Sequence, residues 1–166
     1  MKKNNGRIAI LDAELRKQYQ VLERMANYLA DFQRRHPDLL AIDTDASLAL
    51  SQALCNYYTC LETMFLRISQ FFENNLRKDA WHRDLLDKMQ LNVPGFRIPV
   101  IRDATHSILT ELLKFRHFCR YYFAFDYDRE KLAALMTRFT ELQKILPPDL
   151  SIFFDFVKTL ENTGNR

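Results

Sequence analysis

Ile8, Leu15, Leu22 and Leu29 recur at every seventh position, and Leu11, Met25 and Phe32 form a second seam beside them, with Gln18 as its one polar member. Such a double seam puts apolar side chains on one stripe of a helix, and that stripe needs a helical partner along most of its length. The spacing predicts a helix over residues 8–35, with Glu14, Arg16, Lys17, Glu23 and Arg24 on its outer side. Pro37 disfavours helical geometry at the residue before it, so the helix should stop near Arg34, Arg35 and His36. Those cations either complement the negative end of the helix dipole or bind a phosphate.

The partner stripe lies downstream. Asp43, Thr44 and Asp45 offer capping side chains for a second long helix over 45–77, with Leu54, Leu61 and Ile68 on one seam and Tyr57, Met64 and Phe71 on the other. Two seamed helices joined by a loop of ordinary length are expected to lie antiparallel. Tyr57, Tyr58, Phe65, Phe71 and Phe72 widen the second stripe beyond the needs of one partner. Further helices or a second subunit would use that surplus; the alternative is that all of it is core within one chain.

A short third helix is expected over 79–89, followed by an irregular loop containing Pro94, Gly95 and Pro99. A fourth starts at Asp103 and ends around Phe125 and Asp126. A fifth covers 128–146, with Leu132, Leu135, Met136, Phe139, Leu142 and Ile145 on its apolar side. Pro147 and Pro148 should break it from a last helix over 149–161, because proline removes a helical donor and clashes with the preceding turn. Residues 162–166 read as a frayed tail. No repeat or linker interrupts the pattern, so residues 1–166 read as a single helical domain.

Composition agrees. A chain of 166 residues that is 48% hydrophobic is long and apolar enough for a core, and only 3 glycines among long periodic runs argue for an all-α protein. The expected architecture is an antiparallel helical bundle with two long helices and additional shorter C-terminal helices. A net charge of +3 permits a polyanionic partner without requiring one. Cys55, Cys60 and Cys119, an odd number in helical patterns, read as reduced core residues of a cytoplasmic protein. The opening run from Met1 to Gly6 leads into a charged amphipathic stretch, unlike a signal peptide. No apolar segment approaches the roughly 18 residues of a membrane span.

Most chemical signatures are missing. There is no Gly-rich phosphate loop, nucleophile elbow or Cys-x-x-Cys motif. Cys55 and Cys60 are five apart on a helix and face different directions, and His36, His82, His106 and His117 have no histidine partner at four-residue spacing. Neither a metal nor another cofactor is expected. The acidic residues fall on solvated faces and form no evident acid/base pair. Trp81-His82 reads as a helix start with Trp81 in the core and His82 at the surface.

One stretch stands apart: Phe115-Arg116-His117-Phe118-Cys119-Arg120-Tyr121-Tyr122. At 3.6 residues per turn, Arg116 and Arg120 share one helix face and His117 and Tyr121 the next. The planar fork of arginine suits phosphate, and histidine titrates near neutral pH and can move a proton. A helix carrying these groups could bind an RNA phosphodiester and help to cleave it without a metal. The alternative is a structural cluster in which Arg116 and Arg120 pair with carboxylates of neighbouring helices.

Four segments in order resemble the HepT-like proteins of the HEPN superfamily: Tyr57-Tyr58-Thr59-Cys60-Leu61-Glu62, the run from Trp81 to Met89, Arg97-Ile98-Pro99-Val100-Ile101, and the run from Phe115 to Tyr122. The resemblance spans residues 50–130 and extends more loosely over the whole chain. It implies a helical bundle that forms a homodimer, with the motif helices of both subunits meeting at a cleft. It also implies metal-independent RNase chemistry and a small nucleotidyltransferase antitoxin that can modify the toxin on a tyrosine. The HEPN signature is an arginine, a polar residue and, a turn or so later, a histidine, with a tyrosine just beyond it in HepT. Arg116 matches the arginine and His117 the polar residue, but the histidine position falls on Tyr121 and the tyrosine position on Phe123. His117 would have to serve from a different turn of the helix. Two expectations follow from the resemblance. One is a toxin–antitoxin component that binds or cleaves RNA through Arg116, His117, Arg120 and Tyr121. The other is a catalytically inactive HEPN module that binds a partner protein.

Overall fold

Helix α1 runs over Lys2–Arg35, α2 over Thr44–Phe72, α3 over Trp81–Lys88, α4 over Asp103–Tyr121 and α5 over Arg129–Thr163. The structure, a computed structural model, describes residues 2–73 and 81–163, with side chains described for 6–73 and 82–161. Among the described residues there is no strand, and one isolated bridge pairs Val93 with Arg97. The fold is an all-α bundle, as the periodicity predicts.

Contacts between helices give their directions. Gln18 meets Cys60, Glu14 pairs with Arg67 and Arg7 lies over the Phe71 ring, so α1 and α2 are antiparallel. Arg138 pairs with Glu111 and Asp149 with Thr105, which makes α4 and α5 antiparallel. Tyr57 meets Phe139 and Phe72 meets Phe153, so α2 and α5 run parallel. The short α3 packs against both α2 and α4.

The seams of the first helix are buried through Ile8, Leu11, Leu15, Leu22, Leu29 and Phe32. Each fully buried side chain of this kind stabilises the fold by about 1.5–3 kcal/mol relative to exposure. Gln18, the polar member of the seam, donates from Nε2 to the Cys60 carbonyl at 3.2 Å, so its polarity is satisfied. Much of the aromatic surplus of α2 packs within the chain, while Phe71 and Phe72 stay half-buried. Tyr57 meets Phe139 edge-on with ring centroids 5.0 Å apart, Phe72 packs on Phe153 and Phe156, and Tyr58 and Phe65 are fully buried.

Several boundaries differ from the expected ones. The first helix begins at Lys2, ahead of residue 8. Asp43 caps α2, its Oδ1 accepting from the Ala46 amide at 2.8 Å, and α2 ends at Phe72. Residues 74–77 of the expected second helix, 79 and 80 of the expected third, and 164–166 of the expected tail lie outside the described residues, while 162 and 163 belong to α5. The fourth helix stops at Tyr121, short of Phe125 and Asp126. Tyr122 turns to extended backbone, its ring stacks on Phe118 at 4.6 Å, and its hydroxyl donates to the Asp126 carbonyl at 2.6 Å. This folds 122–127 back on the helix and leaves Asp128 to cap α5 by accepting from the Glu130 and Lys131 amides.

The largest correction concerns Pro147 and Pro148. They lie inside one continuous α5 and do not separate two helices. Each removes one i→i−4 hydrogen bond, at the carbonyls of Gln143 and Lys144. The stripe Leu132, Met136, Phe139, Leu142, Leu146, Leu150, Phe153 and Val157 is buried throughout, so its apolar spacing continues across the prolines. Breaking the helix would remove half of that stripe from the core, at greater cost than two missing hydrogen bonds.

Two buried charged residues lock the short elements in place. Asp149, directly after the two prolines, accepts from the Arg102 amide at 3.0 Å and from Thr105 Oγ1 at 2.5 Å. It thereby caps α4 from α5, because Arg102 at the N-cap makes no side-chain cap of its own. Arg97, whose side chain is fully buried, donates to the carbonyls of Lys88 and Leu91 at 2.8 and 2.9 Å and to Glu73 Oε1 at 2.6 Å. It fastens the loop after α3 to the end of α2. Gly95, at φ 80, takes the tight turn that brings Arg97 there.

Candidate functional site

The first half of α4 is core, with Ile108, Leu109, Leu112 and Leu113 buried. The next turns carry the polar cluster, and they rise beside α2 and the start of α3. Gln52, Cys55, Asn56 and Thr59 of α2, His82 of α3, and Arg116, His117, Cys119 and Arg120 of α4 line a cleft of about 550 Å³. The structure thus brings Arg116, His117 and Arg120 to one hollow. Tyr121 is 70% exposed and does not line it.

The two arginines differ. Arg116 Nη1 lies 3.4 Å from Glu62 Oε1 and 3.4 Å from His82 Nδ1, and its guanidinium sits over the Tyr58 ring at 6.0 Å. Arg120 is exposed and makes no ion pair among the described residues. The alternative in which both arginines pair with neighbouring carboxylates therefore holds for Arg116 alone.

Two residues of this cluster escaped the sequence reading. Glu62, 4% exposed, points inward from α2, which corrects the expectation that the acidic residues lie on solvated faces. His82 was expected at the surface. It is half-buried instead, with its Nδ1 2.7 Å from Glu62 Oε2, and its ring stands 5.5 Å from that of His117. Burial of a carboxylate is unfavourable without cationic or hydrogen-bonding partners, and Glu62 draws both His82 and Arg116 to itself. A signal for Glu62 exists in the sequence: it falls one turn after Tyr58 and three residues before Phe65, inside the apolar stripe. The side chain of Trp81 lies outside the described residues.

Local electrostatics follow from this packing. His117 is held below the usual histidine range, first by burial and then by the neighbouring His82 and Arg116. Among the three free thiols, Cys55 and Cys119 face one another across the cleft wall. The Cys119 thiol is lowered, chiefly by a hydrogen bond from Cys55 and further by one from Tyr127, while Cys55 is raised by the same bond and by burial. Tyr58 is raised by burial, and its hydroxyl has no hydrogen-bond partner among the described residues. No group of three or more metal-ligating side chains occurs among the described residues.

A family described as HepT-like protein matches residues 49–157, more than half of the chain and all four segments of the resemblance. The chain belongs to the HepT-like family of the HEPN superfamily. No curated protein and no solved structure matches it. In this HepT-like chain the matched region begins within α2 and ends near the close of α5, so it contains every residue lining the cleft. No described helix is long and apolar enough to cross a membrane.

Proposed function

We propose that this HepT-like protein is the RNA-directed component of a toxin–antitoxin pair. It would bind an RNA phosphodiester in the α2–α3–α4 cleft and cleave it without a metal. The observation that carries this reading is the convergence of Arg116, His117 and Arg120 on one hollow, with Arg120 exposed and unpaired among the described residues. Arg120 would take a phosphate by two parallel hydrogen bonds, and Arg116 would meet charge that builds on phosphorus. Tyr121, which is exposed, would contact the RNA beyond the reacting group. A homodimer, with the two α4 helices approaching each other, would deepen the cleft, and a nucleotidyltransferase-type antitoxin would be its partner.

RNA cleavage by purified protein tests this, wild type against Arg116→Ala and Arg120→Ala. Loss of cleavage in Arg116→Ala, and weaker RNA binding with a shallower salt dependence in Arg120→Ala, are expected. Cleavage that survives Arg116→Ala, or is absent from wild type, defeats the enzyme reading. Light scattering tests the dimer, and a clean monomer at micromolar concentration contradicts it.

A second reading is a catalytically inactive HEPN interaction module. It is favoured by one observation: Tyr121, at the position where HEPN enzymes carry histidine, is exposed, as are the nearby Phe118, Phe123 and Phe125. Stable capture of the partner nucleotidyltransferase by a protein that leaves RNA uncut would decide for it.

A further inference from the structure

We infer that His82, oriented by the buried Glu62, is the general base of this cleft and stands in for the histidine that the α4 motif lacks. The inference rests on the RNA-cleaving reading above and assigns the proton transfer within it. Four observations converge on His82. It lines the same hollow as Arg116 and Arg120. Its Nδ1 is 2.7 Å from Glu62 Oε2, which fixes the ring orientation and makes Nε2 the atom turned away from the carboxylate. Glu62 is almost wholly buried and also meets Arg116, so its carboxylate is held in one place behind the ring. Arg116 is 3.4 Å from both members of the pair, which places a phosphate-binding cation at the same point.

A buried carboxylate behind an imidazole holds the tautomer and stabilises the imidazolium that forms when the outer nitrogen takes a proton. Among the described residues no carboxylate pairs with His117, whereas His82 has Glu62 at 2.7 Å. The step is a transesterification. His82 Nε2 takes the proton of the ribose 2′-hydroxyl, the O2′–P bond forms and the P–O5′ bond breaks. The leaving O5′ receives a proton from water, and His82 then returns its own proton to solvent. The products are a 2′,3′-cyclic phosphate and a 5′-hydroxyl, with no change of oxidation state and no co-reactant. Arg116 bears on the non-bridging oxygens throughout.

The test measures cleavage of an RNA oligonucleotide, and binding of its non-cleavable 2′-O-methyl analogue, by wild type, His82→Gln, His82→Ala, Glu62→Gln, His117→Gln and Arg116→Ala. His82→Gln is expected to slow cleavage by about 10²–10⁴-fold, the range of general acid–base catalysis, with analogue binding unchanged within a few-fold. Added imidazole should restore part of the activity of His82→Ala. Glu62→Gln, which keeps the shape and an acceptor for Nδ1, should lower kcat and leave KM nearly unchanged, so the inference is testable even where His82 variants fold poorly. If Arg116→Ala is inactive while His82→Gln and Glu62→Gln cleave like wild type, the inference fails and the nuclease reading stands. Loss of analogue binding with His82→Gln, or greater loss of cleavage in His117→Gln, also overturns it. A wild type that binds RNA without cutting it removes the nuclease reading and this assignment together.

Discussion

Asp149 Oδ2 lies 2.5 Å from Thr105 Oγ1, so a carboxylate on α5 caps the first turn of α4, 44 residues away in sequence. The same oxygen accepts from the Arg102 amide, and the carboxylate is 4% exposed as a residue. This one contact sets the height of α4, and hence of Arg116 and His117, against the rest of the bundle. Asp149→Ala removes the cap and leaves the buried Thr105 hydroxyl and the Arg102 amide without their acceptor. It is expected to lower stability by about 2–4 kcal/mol. Urea unfolding measures this, and a loss below about 0.5 kcal/mol, the size of an ordinary surface change, would contradict the capping role.

Arg97 is a second such anchor, and its geometry makes it irreplaceable by lysine. The guanidinium serves Glu73 and the carbonyls of Lys88 and Leu91 at once, whereas an ammonium is a single point without the planar fork. Arg97→Lys should cost at least about 2 kcal/mol and Arg97→Ala about 3–5 kcal/mol, because each leaves buried partners uncompensated. Thermal melts followed by circular dichroism compare the two; equal stability of Arg97→Lys and wild type would show that the fork is not needed.

Pro148 is exposed and sits inside a helix that continues past it. Pro148→Ala restores the donor to the Lys144 carbonyl and relieves the ring clash, worth up to about 3 kcal/mol in a helix interior, offset by about 1 kcal/mol of unfolded-chain entropy. A net gain of about 1–2 kcal/mol is expected in denaturant unfolding. A loss of stability would mean that the prolines close one helix and open another, as their sequence alone suggests.

The two thiols on the cleft wall should differ in reactivity. Cys119 is lowered and Cys55 raised by their mutual hydrogen bond, and the thiolate is the nucleophile. Iodoacetamide at neutral pH should label Cys119 well before Cys55, read by peptide mass spectrometry. Cys55→Ala should slow the labelling of Cys119 by removing its main donor; labelling of Cys55 first would refute the arrangement.

His117 also couples the site to acid stability. Its folded-state affinity for protons is lowered, so the unfolded chain binds more protons as pH falls through the usual histidine range. The neutral form therefore carries a stability contribution that is present at neutral pH and is lost on acidification below about pH 6.5. His117→Gln should lose less stability than wild type between pH 7.5 and pH 5, measured by urea unfolding at both. An identical slope in the two proteins would show that His117 is not desolvated in the folded state.

The sequence by itself determined that the chain is helical and which faces of its helices are buried. The seams Ile8–Leu15–Leu22–Leu29 and Leu54–Leu61–Ile68 depend on spacing alone, and spacing is a local property that survives any arrangement of the chain. It also marked Arg116, His117 and Arg120, because their spacing on one helix is equally local. Tertiary structure decided the rest. Whether Pro147 and Pro148 end a helix depends on what the stripe on either side can bury, and that is known only once α5 lies against α1, α2 and α4. The turn of the chain at Tyr122 depends on Phe118 and Tyr127 meeting it. The pairing of Glu62 with His82 joins residues 20 apart on different helices, and neither segment by itself names the partner in the other. A buried carboxylate acquires its partners from the geometry of the folded bundle, and periodicity carries no information about which cation, or which imidazole, will stand opposite it.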